Sequence, residues 1–209
     1  MNLETLDPPA LNPASRLDVS QCQSLATVLG RAYHANPSLI YAIPDPEARR
    51  IVSPWLFSAV IRAGQLYGEI RTTKSGDGAS VWISPANGLS VRRIMDVALT
   101  VLPFRLESGI ARRCMKLAAY VEEVRKQLAP SPHWFLMAID AETWHPEKAI
   151  GEALIEPVLL RADSTWTPCY LETFDGEKLE FYRSYGFQIV GAGRVPGGGP
   201  DFWALTRAL

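Results

Sequence analysis

The segment His133–Leu154, HWFLMAIDAETWHPEKAIGEAL, constrains this chain most, because it passes from a run that reads as a buried strand to the start of a helix. Trp134 to Ile139 is continuously apolar, a polar loop follows, and Ala149-Ile150-Gly151 opens a helical pattern. Strand, turn and helix N-terminus in that order make an α/β junction. The first N–H groups of a helix have no partner inside it and carry partial positive charge, so such a junction suits a phosphate or diphosphate. Ala149, Gly151 and Ala153 keep the backbone bare enough for a ligand to approach.

The flanking segments give the order of elements. Residues 1–14, with Pro8, Pro9 and Pro13, read as a poorly ordered leader, and 15–209 as one domain. Asp18-Val19-Ser20 caps a helix with Cys22, Leu25, Ala26, Leu29 and Tyr33 on its apolar face, and Ala35-Asn36-Pro37 ends it. A proline-punctuated loop leads to a second helix that starts at Asp45-Pro46 and shows Ile51, Trp55, Leu56, Val60 and Ile61 on one face. Trp55 and Trp82 are expected in the core; with Tyr41 they are also candidates to line an acceptor pocket. Gln65–Thr72 and Ala79–Ile83 form a hairpin about Gly76-Asp77-Gly78. Residues 88–129 read as a helical insertion broken near Pro103. After the strand Trp134–Ala141 comes a helix from about Ala149 to Ala162, bent by Pro157. Next are a strand Pro168–Thr173, a short helix Glu177–Tyr185 stopped by Gly186, and a strand Phe187–Arg194. A Gly/Pro loop then returns the chain into Phe202–Thr206. The expected fold class is α/β (α+β): a twisted, mostly antiparallel mixed sheet flanked by helices.

Composition excludes several functions. A formal net charge of -1 gives a nucleic-acid polymer or an anionic membrane no electrostatic footing. Three dispersed cysteines and three dispersed histidines offer neither a disulfide framework nor metal-ligand spacing, so no metal is expected. No basic-then-apolar start marks a secretory signal, and a reducing, cytoplasmic setting fits.

Read together, the junction segment, PCYLETF, LEFYRSYGF and the closing Gly/Pro hairpin before DFWALTRAL resemble the GNAT superfamily of N-acetyltransferases. The resemblance is to its puromycin N-acetyltransferase-like subgroup, where the order is strand, Q-x-x-G-x-G, a helix with an internal E-P-V, L-E-T, then N-x-x-F-Y-x-x-x-G-F. It is close from His133 onward, and the combined spacing carries it rather than any one piece. It implies two central parallel strands that splay apart and take the pantetheine arm of acetyl-CoA as cosubstrate. Met137, Ile139 and Ala141 would offer backbone to that arm. Glu147, Lys148, Ala149, Ile150, Gly151, Glu152 and Ala153 would hold the diphosphate, and Lys178 stands where an asparagine often meets the pantetheine. The expected activity is direct transfer of an acetyl group to the primary amine of a small molecule. Tyr182 would donate a proton to the departing sulfur, as a phenol of pKa ~10 keeps its proton at neutral pH. N–H groups near Ile139 and Asp140 could stabilise the oxyanion. Glu172, and Glu123 with its neighbour Glu122, are candidate general bases.

The turn departs from that pattern. Pro146 removes a backbone donor, Glu147 brings negative charge towards a diphosphate, and Ala149 and Lys178 replace the usual residues. The alternative reading is therefore a degenerate module of the same fold that binds another ligand or a protein. A homodimer formed through the last hairpin is compatible with the sequence.

Overall fold

The computed structural model describes residues 17–73, 76, 78–88, 90–101, 106–129, 132–141 and 153–208. The proposed leader, most of the diphosphate turn (Glu147–Glu152) and His145 lie outside these residues. Helices come first: α1 (Val19–Ala32), α2 (Pro37–Ala42) and α3 (Pro46–Tyr67). Strands β1 (Gly68–Thr72) and β2 (Gly78–Ile83) are followed by α4 (Val91–Val101) and α5 (Ser108–Leu128). Then come β3 (Trp134–Ala141), α6 (Glu156–Ser164), β4 (Cys169–Thr173), α7 (Leu179–Ser184), β5 (Gln188–Arg194) and β6 (Asp201–Arg207).

Local chemistry sets the helix starts. Asp18 accepts from the N–H of Gln21 while the Gln21 side chain accepts from the N–H of Asp18, a reciprocal cap on α1. Asp45 accepts from the N–H of Ala48, with Pro46 at the first position of α3. The same logic operates at a place expected to be loop. Asn36 accepts from the N–H of Ser38, and Pro37, read as a helix stop, begins α2 instead. A proline that stops one helix can start the next.

Two more boundaries and one buried face differ from expectation. Helix α3 runs through Gln65–Tyr67, so β1 begins only at Gly68. A side chain at Gly68 would collide with the Trp82 carbonyl, 1.8 Å from the Cβ position, and this close approach lets the strand start directly off the helix. Pro157 does not bend a continuous helix. Ala153 and Leu154 are helical, the chain turns at Ile155, and α6 restarts with Pro157 in its first turn. The break frees the Leu154 carbonyl, which accepts from the Ser80 hydroxyl at 2.7 Å and ties this segment to β2. Finally, Trp55 and Ile51 lie on the exposed side of α3, 37% and 55% accessible, whereas Trp82 is fully buried. The helical period identified an apolar stripe that is wider than the face the core covers.

Among the described residues six strands form one sheet in the order β1-β2-β3-β4-β6-β5. Every neighbouring pair is antiparallel except β3 and β4. One face carries Ala79, Val81 and Ala138 against α1 and α3, continuing as Ile83, Phe135, Tyr170 and Phe202 beside α5. The other carries Trp82, Leu136, Ile139, Leu171 and Leu205 against α6 and α7. At the β5–β6 turn Gly197 and Gly198 adopt φ of 75° and 76°, the left-handed region that glycine tolerates best. No described helix is long and apolar enough to cross a membrane. Among the described residues no cluster of His, Cys, Asp and Glu could hold a metal, and all three cysteines are free thiols.

Candidate active site

The site grows out of one irregularity and one divergence. Val81 of β2 faces Ala138 of β3 and Trp82 faces Leu136, so Met137 has no partner on β2 and forms a bulge. Beside it, β3 and β4 pair only through Trp134–Leu136 and Cys169–Leu171. Beyond Leu136 and Leu171 the parallel strands separate. Met137–Ala141 thus runs along an opening with one backbone edge away from β2, and buried backbone groups on such an edge need other partners.

Tyr33, just after α1, fills that need. Its hydroxyl accepts from the N–H of Ile139 and donates to the C=O of Ile139, both at 3.2 Å. Next to it the Lys178 ammonium pairs with the Asp140 carboxylate at 2.6 Å, with the two side chains only 12% and 7% exposed. The same ammonium lies 5.5 Å from the Tyr33 ring centre. A buried carboxylate in a central strand needs such a cation to offset its lost hydration.

Tyr182 approaches from the opposite face of the sheet. Its ring packs in the core formed by α6 and α7, and it is 4% exposed. Burial raises its pKa well above the ordinary phenol value, and the nearby Tyr33, Asp140 and Asp175 raise it further, while Thr173 acts the other way. Tyr33 is likewise raised, first by burial and then by the Asp140 charge. Both phenols keep their protons and remain hydrogen-bond donors.

Glu172 lies on β4 one residue past the last paired position. Arg125 of α5 reaches it with one nitrogen, 3.4 Å from each carboxylate oxygen, while the guanidinium lies 4.4 Å from the Phe135 ring centre. Burial pushes the Glu172 carboxyl up to about 7, and Arg125 and the Tyr170 phenol hold it back from rising further.

Met137 and Ile139 lie on the β3 edge at the divergence, Lys178 reaches that edge through Asp140, Glu172 follows the last β3–β4 pair on the α5 side, and Tyr182 packs in the core on the α6–α7 side. Ala141 ends β3, and Ala153 is buried beside Leu154 ahead of α6. Glu123 does not join them: it is exposed on α5 and accepts from the Gln127 side chain at 2.9 Å. Glu122 pairs with Lys126 at 2.8 Å. Sequence reasoning missed Tyr33, Asp140 and Arg125 as site side chains. Tyr33 stood in an apolar helical stripe, and Arg125 carried no signal of its own along the chain. Asp140 did leave a signal, as an acid ending an apolar central strand implies a buried cation.

No protein-family model matches the chain. Solved structures do. The histone acetyltransferase HPA2 and related acetyltransferase of Corynebacterium glutamicum superposes with a TM-score of 0.63 at 17% identity, covering 97% of each chain. A polyamine N-acetyltransferase of Drosophila melanogaster that forms N-acetylagmatine gives 0.62 at 14% identity, over 96% of this chain and 100% of that one. Arylalkylamine N-acetyltransferase 2 of Aedes aegypti gives 0.58 at 10% identity, over 95% and 98%. At these identities the likeness is one of architecture, and with the six-stranded order and the separated parallel pair it establishes that this chain has the fold of the GNAT acetyltransferases.

Proposed function

We propose that the protein is an acyl-CoA-dependent N-acetyltransferase that acts on a primary amine of a small molecule. One observation carries this reading. The backbone of Ile139, on the edge β3 turns toward the divergence, is held by a side-chain hydroxyl instead of by a strand. A hydroxyl can be displaced; a paired strand cannot. An extended amide-bearing arm laid along β3 would meet one donor and one acceptor there, the pattern by which peptides add to strand edges. The described residues thus fit the pantetheine of acetyl-CoA, and Glu147–Ala153 would hold its diphosphate. Bound there, the cosubstrate supplies an acyl group activated as a thioester.

The chain's own groups have distinct tasks. Glu172 takes a proton from the acceptor ammonium, since a carboxylate with pKa near 7 is half-ionised at neutral pH. Tyr182 donates a hydrogen bond to sulfur. Full proton transfer from a phenol raised above pKa ~10 to a thiolate whose acid has pKa ~8.5 is uphill, so Tyr182 stabilises the leaving group and solvent completes the protonation.

The alternative, a module of this fold without transfer activity, draws on the same contacts. Tyr33 and the Lys178–Asp140 pair occupy the divergence, and their burial makes displacement costly. Calorimetric titration with acetyl-CoA, joined to an assay of thiol release with an amine panel, decides between them. A dissociation constant in the micromolar range with amine-dependent thiol release supports the transferase. No heat at millimolar cosubstrate leaves the binding module.

A further inference from the structure

A cavity of about 310 Å³ lies on the α5 face of the sheet, where the end of β2, the last turn of α5 and the start of β3 meet. That size is at the lower end of small-molecule pockets. Ile83 and Phe135 give it apolar wall, while Arg125, Lys126, His133 and Asn87 give it polar groups. It sits at the end of β3 that is paired with β4, and Phe135 is roughly 13 Å along the strand from Ile139. A compound seated here is separate from the divergence, so the assignment below goes beyond the transferase reading and does not rest on it.

The charges of the lining are one-sided. Arg125 and Lys126 are cationic, and among the described residues that line the cavity there is no carboxylate. Their acidic partners, Glu172 and Glu122, stand outside the lining. Lys126 keeps 64% of its side chain exposed, and an ion pair in that setting contributes little, so its ammonium can turn from Glu122 to a ligand. The carbonyl end of α5 brings about half an elementary negative charge, less than the two cations supply.

Three of the polar groups are fixed before any ligand arrives. The Arg125 guanidinium lies 4.4 Å from the Phe135 ring centre, and the His133 ring meets the Tyr170 ring edge-on at 5.5 Å. The Asn87 amide donates to the Tyr67 carbonyl at 3.1 Å. Groups already held in place lose little freedom on binding. We propose that this cavity is a binding site for a small organic carboxylate, its charged end toward Lys126 and Arg125 and its hydrocarbon part against Ile83 and Phe135. Lys126 makes the direct contact, and Arg125, engaged by Glu172, contributes its charge from the inner wall. The apolar wall favours an anion carried on a hydrocarbon body over a bare inorganic ion. An amine of the same shape meets like charge.

The test uses the full chain without acetyl-CoA and four probes: 3-methylbutanoate, 3-methylbutanamide, 3-methylbutylamine and inorganic phosphate, in chloride buffer at one pH. In NMR titrations at millimolar ligand, 3-methylbutanoate should shift the backbone resonances of Ile83, Asn87 and Phe135 and leave those of α1 in place. Its dissociation constant should be at least tenfold below those of the other three. Lys126→Glu should weaken it at least fivefold, and Lys126→Arg should keep it. Equal affinity for the amide means an apolar pocket without charge recognition, and equal affinity for phosphate means an inorganic anion site only. Either result overturns the proposal, as do preference for the amine, the absence of any shift, or an affinity untouched by Lys126→Glu. Should Lys126→Glu not fold, the four-probe comparison on the native chain decides. Because no transfer is measured, these outcomes stand apart from the success or failure of the transferase reading.

Discussion

The Tyr33 hydroxyl holds both backbone groups of Ile139, 106 positions away in sequence, accepting from its N–H and donating to its C=O at 3.2 Å. In the interior of a sheet, where strand edges otherwise meet neighbouring strands, this contact and the Lys178–Asp140 pair sit in the gap that the parallel pair opens.

Removing the hydroxyl separates closure from binding. Tyr33→Phe leaves the Ile139 groups without their partner, so the free protein should lose about 1–3 kcal/mol of stability in denaturant titrations. A bound pantetheine amide would satisfy the same groups. Acetyl-CoA affinity should therefore rise, by roughly fivefold for each kcal/mol by which the free state is raised. Calorimetry on both proteins checks this, and an unchanged or weaker affinity argues that the arm does not bind at Ile139.

Tyr182→Phe removes only the donor to sulfur. We expect kcat to fall by roughly 10²-fold, in the usual range for a positioned proton donor, with little change in KM. Because burial and its neighbours raise the Tyr182 pKa, no loss of rate from its ionisation should appear up to pH 10. A falling limb below that pH which disappears in Tyr182→Phe would contradict the assignment.

Glu172 makes both activity and stability depend on pH. Below the ordinary carboxyl value of 4.5 the group is protonated whether the chain is folded or not. Between 4.5 and about 7 the unfolded chain releases the proton while the folded chain, burying Glu172, keeps it. The unfolded state then binds fewer protons, so stability falls as pH rises through this window and levels off above it. Glu172→Gln should remove that slope in urea titrations. The same substitution should abolish the rising limb of kcat/KM centred near pH 7 and lower the plateau rate by about 10²-fold.

The Lys178–Asp140 pair predicts an asymmetry. Lys178→Met alone strands a buried carboxylate and should cost about 3–5 kcal/mol, whereas Lys178→Met with Asp140→Leu removes both charges and should cost far less. A double-mutant cycle by chemical denaturation measures the difference. Additive losses would mean that the two charges are hydrated independently.

Much of the architecture was legible because its signals are local. Caps at Asp18 and Asp45, the apolar run from Trp134, the stop at Gly186 and the glycine turn at 196–200 each act within a few residues, and the structure agrees with them. The misread places are those where a local signal has two outcomes. Pro37 ends one helix and begins another, Gln65–Tyr67 suits a strand or a last helical turn, and Ile51 and Trp55 belong to a stripe broader than the covered face.

Residue spacing along the chain indicated most elements and their order, α2 excepted, and put Glu172 on β4, while the role given to Tyr182 came from the resemblance. Tertiary structure alone decided which side chains meet in the gap: Tyr33 with Ile139, Lys178 with Asp140, and Arg125 with Glu172 across 47 residues. Each of these contacts depends on sheet order and on how far two parallel strands separate. Those quantities come from the packing of whole layers, and no window of sequence contains them.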